Sequence, residues 1–255
     1  MNNINKRQSE IYYLLKEHGS MLVKDIIPRF PVSAATIRKD LTALQDAGML
    51  IRTHGEVQLA QQTNPVTPYE ARIGLNTEAK EAIARRAVEE IHDGDSIILD
   101  SGTTTIEIAK LLTDRVNLTV ITNSLPIAMT FSTSQVSVTL VGGIFLGRNL
   151  SVQGPDAEEY LRKIVVDKTF ISSPGIRSQY GLVTSHPLEA SIKRRMIESG
   201  RTIYAVLDSS KLARTSVHPF VSFSEIDYLI TERPVEDPAL RQTLAEEDVK
   251  ILLPD

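Results

Sequence analysis

The chain has 255 residues, 42% of them hydrophobic, with 28 Lys/Arg against 32 Asp/Glu, a net charge of -4 and no cysteine. The lack of cysteine rules out a disulfide framework and any thiolate metal site. No apolar run reaches the roughly 18 residues of a membrane helix, and the first residues lack the apolar core of a signal peptide, so a cytoplasmic protein with no membrane association is expected.

Charge is unevenly spread. Residues 1–56 hold eight cations against six carboxylates, and the rest hold 20 against 26, so a nucleic acid, if bound, would dock near the start of the chain. From Lys6 to Glu17, Ile11, Leu14 and Leu15 share one helical face, and His18-Gly19 ends that helix. Leu22, Val23, Ile26 and Ile27 predict a second, short helix that Pro28 interrupts. Ser33 can cap a third, running to Gly48 with Ile37, Leu41 and Leu44 inward. The period then changes to two over "MLIRTHGEVQL", as in a hairpin turning at His54-Gly55-Glu56. This order predicts a small winged helix-turn-helix over residues 1–59. "AQQTNPVTPYEAR", with two prolines and no apolar period, reads as a linker within 60–76.

In such a module the third helix enters the major groove, and its first outward residues are small, hydrogen-bonding or cationic. Ser33, Ala35, Thr36, Arg38 and Lys39 meet that demand, and Arg52 and His54 are candidate wing contacts. Arg38 suits either a guanine edge or a phosphate. Judged by charge alone, Arg38 and Lys39 also read as solvated charges on an ordinary helix.

Over residues 77–255, apolar runs such as "SIILD", "LTVIT", "KTFIS" and "TIYAVLD" alternate with helical patterns, predicting an α/β domain with a largely parallel sheet covered on both faces. The stretch "ILDSGTTTIEIAKLL" passes from strand to helix through Ser101, Gly102, Thr103, Thr104 and Thr105. Backbone N–H groups, hydroxyls and a helix N-terminus suit a phosphate or carboxylate there, but a plain turn capped by threonine explains the same residues equally well. Two further polar strand ends, Thr122-Asn123-Ser124 and Asp208-Ser209-Ser210-Lys211, can converge with it, since ligands of open parallel sheets bind beyond the carboxyl ends of strands.

The run "VSAATIRKDLTALQDAGMLIRTHG" from Val32 to Gly55 resembles the signature of the DeoR family of bacterial transcription regulators, in which V-S-x-x-T-I-R-x-D-L precedes L-x-x-x-G and R-x-H-G. The resemblance implies that Ser33, Thr36, Arg38 and Lys39 lie on the recognition helix and that Asp40 is structural; Glu56 departs from the family, which usually has a second wing glycine. "DSGTTT", "TNS", Gly142-Gly143, "DKTFISSPGI", "EASIKRRMI" and "DSSK" are similar to motifs of the family's sensor domain, whose fold is like that of ribose-phosphate isomerase and glucosamine-phosphate deaminase. This implies a phosphorylated sugar or sugar derivative as effector, its phosphate on Ser101 to Thr105, its hydroxyls near Asp100, Asn123 and Ser124, and Lys211 close by. Ser172-Ser173-Pro174 stands where the family more often has glycine and an acidic residue. Glu189 and Lys193 match a family helix over the pocket, and at i, i+4 they are equally an ordinary helix ion pair.

An isomerase or deaminase needs a positioned general base and acid, for which Asp100, Glu189 and His186 are candidates. The five histidines are scattered without metal-ligand spacing, and neither a nucleophile elbow nor a P-loop is present. The expectation is therefore a non-enzymatic regulator, most readily a repressor, with no catalytic residues, metal or cofactor. It would bind double-stranded operator DNA as a homo-oligomer, at least a dimer, under control of the effector; a sugar-phosphate isomerase or deaminase is the alternative.

Overall fold

A computed structural model describes all residues except 1–6, 9, 12–13, 16–19, 47–49, 54–55, 60–68 and 255. The chain divides into two compact units, Met1–Pro65 and Val66–Asp255.

In the first unit, residues 7, 8, 10, 11, 14 and 15 are helical. They are followed by β1 (Ser20–Leu22), α1 (Val23–Ile26), a 3-10 turn at Ile27–Arg29, α2 (Ala34–Asp46), β2 (Leu50–Thr53) and β3 (Glu56–Leu59). Ile11, Leu15, Ile26, Ile37, Leu41, Leu44, Leu50 and Val57 form one buried cluster, so the expected stripe of α2 does point inward. The expected second helix is shorter than its apolar pattern suggests. Ser20–Leu22 pairs antiparallel with β3 in a three-stranded sheet ordered β1-β3-β2, which leaves Leu22 exposed. Pro28, unable to donate a backbone hydrogen bond, sits in the 3-10 turn. Glu56, the departure in the wing, accepts a hydrogen bond from the Ser20 hydroxyl at 2.5 Å; the carboxylate is used across the β1–β3 ladder.

The second unit begins with α3 (Tyr69–Ile73) and α4 (Thr77–Val88). Then come β4 (Ser96–Leu99), α5 (Thr105–Lys110), β5 (Thr119–Thr122), α6 (Leu125–Thr130), β6 (Ser137–Leu140), the hairpin β7 (Ile144–Leu146) and β8 (Ser151–Gln153), α7 (Pro155–Leu161) and β9 (Val166–Ile171). The chain continues through β10 (Gly175–Arg177), β11 (Gly181–Thr184), α8 (Pro187–Ser199), β12 (Gly200–Val206), α9 (Ser209–Leu212), β13 (His218–Val221), β14 (Tyr228–Ile230), α10 (Pro238–Glu246) and β15 (Lys250–Leu252). Seven strands form a sheet ordered β15-β14-β12-β9-β4-β5-β6, and every pairing in it is parallel. Alternation along each strand splits the core in two. Ile97, Leu99, Val120, Phe170 and Tyr204 meet α4, α5 and α6 on one face, whereas Ile98, Ile121, Ile171 and Ala205 meet α7, α8 and α10 on the other. Continuous apolar strands follow from that double coverage.

Helix α3 lies inside the stretch read as a linker. The hairpin β7–β8, the small antiparallel sheet β10-β11-β13 and α10 are elements that the apolar periodicity did not disclose.

Leu41→Ala removes a fully buried side chain from a cluster with few members, and is expected to destabilise the first unit by about 2–5 kcal/mol. Urea unfolding that follows the first unit's signal tests this, with a lowered midpoint as the expected result.

Candidate functional site

The outer face of the first unit is carried by α2. Ser33 sits before it as the cap, its Oγ accepting the Thr36 N–H at 3.2 Å and lying 2.8 Å from the Thr36 Oγ1. Both hydroxyls thus serve the helix start. Ala35, Arg38, Lys39 and Thr42 are exposed and, at i, i+3, i+4 and i+7, share one face. Asp40 turns inward: it is 4% exposed and receives Arg7 Nε at 2.5 Å and Gln8 Nε2 at 3.1 Å. It ties the third helix to the first, in keeping with a structural role. Arg52 lies on β2 opposite Val57; His54 falls outside the described residues.

In the second unit the sheet reverses its direction of growth between β4 and β9: the chain first adds β5 and β6 on one side of β4, then β9, β12, β14 and β15 on the other. The crevice at such a reversal, beyond the carboxyl ends of the strands, is where open α/β sheets hold ligands. Asp100 ends β4 there, Ser172 ends β9, Asn123 and Ser124 end β5, and Asp208 to Lys211 follow β12. Four neighbouring strands therefore bring Asp100, Asn123, Ser124 and Lys211 to the same end of the sheet, whereas Gly142-Gly143 follow β6 and Glu189 and Lys193 lie on α8.

Side-chain hydrogen bonds stitch these ends together. The Asn123 Oδ1 accepts the Ser101 N–H at 3.0 Å, and its Nδ2 donates to the Val152 carbonyl at 3.2 Å. Thr122 donates to the Leu99 carbonyl at 2.7 Å and Ser124 caps α6. Thr105 is also consumed locally, donating to the carbonyls of Asp100 and Gly102. What remains open in the loop is backbone. Among the described residues, no hydrogen bond takes the N–H of Gly102, Thr103 or Thr104. A methyl group at Gly102 would stand 3.0 Å from the Ser172 Cβ, so glycine is what lets the loop lie against β9. The helix that follows has only six residues, and the cation beside the loop comes instead from Lys211, whose Nζ lies 3.4 Å from the Thr104 Oγ1 and 3.3 Å from the Asp208 carboxylate. Burial lowers the Lys211 pKa, with Asp208 pulling the other way.

Behind the loop lies a buried ion pair. Lys193, on α8, donates to the Asp100 Oδ2 and, at 2.9 Å, to the Ser172 carbonyl. The same Asp100 oxygen receives the Ser172 N–H at 3.0 Å, while the Oδ1 has no hydrogen-bond partner among the described residues. Burial pushes the Asp100 carboxyl above the ordinary range, against Lys193 and the Ser172 N–H. Glu189 takes a hydrogen bond from Thr184, five residues earlier, while Lys193 reaches Asp100 across the fold, and among the described residues no ion pair joins Glu189 to Lys193. His186, the remaining candidate base, caps α8 by accepting the Leu188 N–H through Nδ1 at 3.2 Å. Gly142 is open to solvent, whereas Gly143, at φ +138°, faces the Gln153 carbonyl so closely that a Cβ would stand 2.6 Å from it. The residues of the departing segment have structural tasks here: Ser173 donates to the carbonyls of Gly175 and Val183.

Sequence reasoning missed several polar groups around this place. Lys80 is 2% exposed and donates to the carbonyls of Arg72 and Ile73 at 2.7 and 2.9 Å, burial lowering its pKa. Asn76, in the left-handed region at φ 52°, donates to Asp208 and Ser210, each at 3.0 Å. Arg72 donates to the Asn149 Oδ1 at 3.3 Å, and the buried Gln153 Oε1 has no hydrogen-bond partner among the described residues. For Arg72, Asn76 and Lys80 the linear signal was a cluster of polar residues in "EARIGLNTEAK", which reads equally as solvated surface.

Family models for the DeoR-like helix-turn-helix domain and the DeoR C terminal sensor domain match residues 7–63 and 75–233. The chain belongs to the DeoR family. Transcriptional repressor AccR of Agrobacterium fabrum is 36% identical to it, covering 91% of this chain and 90% of its own length. A putative aga operon transcriptional repressor of Escherichia coli is 33% identical over 97% and 93%, and the glycerol-3-phosphate regulon repressor of Escherichia coli 29% identical over 97% and 98%. Among solved structures, a ribose 5-phosphate isomerase A of Methanocaldococcus jannaschii aligns over 54% of this chain and 55% of its own, with a TM-score of 0.40 and 18% identity. Among the described residues, no helix is long and apolar enough to cross a membrane.

Lys193→Met strands the Asp100 carboxylate in the core and is expected to cost about 3–5 kcal/mol of stability, whereas the double variant Asp100→Asn, Lys193→Met recovers most of it. Urea midpoints of the two variants and the parent decide; a double variant as unstable as the single one would show that packing, not the ion pair, is at stake.

Proposed function

We propose that this DeoR-family protein is a repressor of a carbohydrate-metabolism operon whose hold on operator DNA is controlled by a phosphorylated sugar or sugar derivative. The observation that carries the effector class is the strand-end loop, with unpaired N–H groups at Gly102 to Thr104 beside the Lys211 ammonium. An oxyanion there receives several donors and a cation at once. In this reading sugar hydroxyls meet the second oxygen of Asp100 and the end of β5 at Asn123 and Ser124, whose side chains also bond within the fold. Glu189 and Lys193 hold the far wall. The names of the relatives, repressors of an aga operon and of a glycerol-3-phosphate regulon, agree with this class.

In the first unit, Ala35, Arg38 and Lys39 face the major groove, Ser33 and Thr36 set the helix start, and Arg52 and His54 serve the wing. Reading two half-sites requires at least a dimer, and effector binding acts as a coupling free energy between the sensor unit and DNA. The isomerase or deaminase reading is weaker because its candidate acids and bases are engaged: Asp100 with Lys193, Glu189 with Thr184 and His186 as a helix cap. Phosphosugar turnover without operator binding would reverse that choice.

Arg38→Ala is expected to weaken operator retention roughly 10- to 100-fold, equivalent to about 1–3 kcal/mol, with phosphosugar binding intact. A titration at constant salt tests it, and unchanged retention sinks the placement of α2 in the groove. Thr103→Ala and Lys211→Ala are expected to retain DNA while needing at least about tenfold more phosphosugar for release, on the scale of a lost charge-assisted contact. Parent-like release by both variants places the effector elsewhere.

A further inference from the structure

The seven-stranded sheet of the second unit has two edges, and they are finished differently. At one, β15 carries Lys250 and is followed by Pro254; a lysine and a proline are common guards against pairing with another chain. At the other, β6 is Ser137-Val138-Thr139-Leu140 and has neither. The Ser137 N–H donates to the Leu118 carbonyl at 3.0 Å, and the Val141 N–H to the Thr122 carbonyl at 2.9 Å, both toward β5. Alternate residues of a parallel strand bond the same neighbour, so the N–H groups of Val138 and Leu140 point away from the sheet.

Charge is missing from the whole segment around this edge. The 32 residues from Val116 to Gly147 contain no Lys, Arg, Asp, Glu or His, whereas a stretch of that length at the chain's 24% of charged residues would hold about eight. The segment supplies β5, α6, β6 and β7. Every other described helix of the second unit carries at least one charged residue, and α6 carries none. Burial does not account for this, because Met129 on α6 is 65% exposed and Leu140, Ile144 and Phe145 are exposed too. Helix α6 packs against β5 and β6, so Met129 and Leu140 sit on adjoining elements at one border of the sheet. Exposed apolar surface joined to an open strand edge marks a contact with another molecule.

We propose that this border is where two copies of the chain meet, their β6 strands pairing antiparallel across a two-fold axis with the α6 helices alongside. With the axis between Val138 and Thr139, Val138 stands opposite Thr139 of the partner subunit and Ser137 opposite Leu140 of the partner subunit. No like charges oppose one another in that register. An uncharged border is self-complementary, since a second copy brings the same surface, whereas nucleic acid would be met by cations. The outward N–H groups of Val138 and Leu140 gain carbonyl partners in the joint. This rests on the reading that operator recognition needs at least a dimer, and adds to it the surface that makes one.

Sedimentation velocity on the full chain over a range of concentrations tests this, with hydrogen exchange at the same concentrations. The parent is expected to associate, and its Val138 and Leu140 amides to exchange at least about tenfold faster once dilution separates the copies. Leu140→Lys and Met129→Lys are each expected to raise the dissociation constant at least about tenfold, because like charges then meet across the axis. Ile251→Lys, the same change on the guarded edge β15, leaves it as in the parent. Should Leu140→Lys fail to fold, Met129→Lys, at an exposed helix position, decides alone. Parent-like association of Met129→Lys, or Val138 and Leu140 amides indifferent to dilution, overturns the proposal and leaves the dimer reading standing. A parent that is monomeric at every concentration overturns both, whatever else covers the edge.

Discussion

The buried pair of Asp100 and Lys193 is the interaction around which the sensor unit is arranged. One carboxylate oxygen at the end of β4 takes the ammonium from α8 and the N–H of Ser172 from the end of β9, so it bridges the two strands between which the sheet changes its direction of growth. A charge in such a place is tolerated only when its partners are held by the fold. The other oxygen of the same carboxylate has no hydrogen-bond partner among the described residues. In the proposed function, structure and recognition meet in one side chain: one oxygen of Asp100 ties the strand ends together and the other is left to the effector.

From that point the division of labour among the polar residues follows. Thr105, Thr122 and one edge of Asn123 spend their hydrogen bonds on neighbouring strand ends, which holds the loop in a shape that leaves three N–H groups open. Lys80 and Lys211 are both cations of lowered pKa for the same reason, burial, but Lys80 is committed to two helix-end carbonyls whereas Lys211 faces the loop. The winged helix works by the same separation. Asp40 and the apolar stripe face the other helices, and Ala35, Arg38 and Lys39 keep the outer surface.

Much of this was legible along the chain. A stripe at Ile37, Leu41 and Leu44, a cap at Ser33 and the change to period two disclosed the first unit because short amphipathic elements carry their burial pattern in local order. Runs such as "SIILD" and "TIYAVLD" disclosed a parallel sheet covered on both faces because each strand is apolar on both sides. Leu22 misled, since an apolar residue beside Val23 fits a helix as well as the β1 strand that antiparallel pairing with β3 selects. Helix α3 was hidden because it is five residues long and follows two prolines, so neither period nor propensity rises above that of a linker.

The sequence by itself determined the family, the order of a winged helix before an α/β unit, and the polar strand ends, because those depend on residue type at short spacing. Only the tertiary structure decided which of those polar groups are free. Glu189 and Lys193, four residues apart, part company to reach Thr184 and Asp100, and Arg72 from an unpromising stretch reaches Asn149, 77 residues on. Partners brought together by sheet order lie up to 93 residues apart in the chain, and which of them meet is set by the order of the strands rather than by any spacing along the chain.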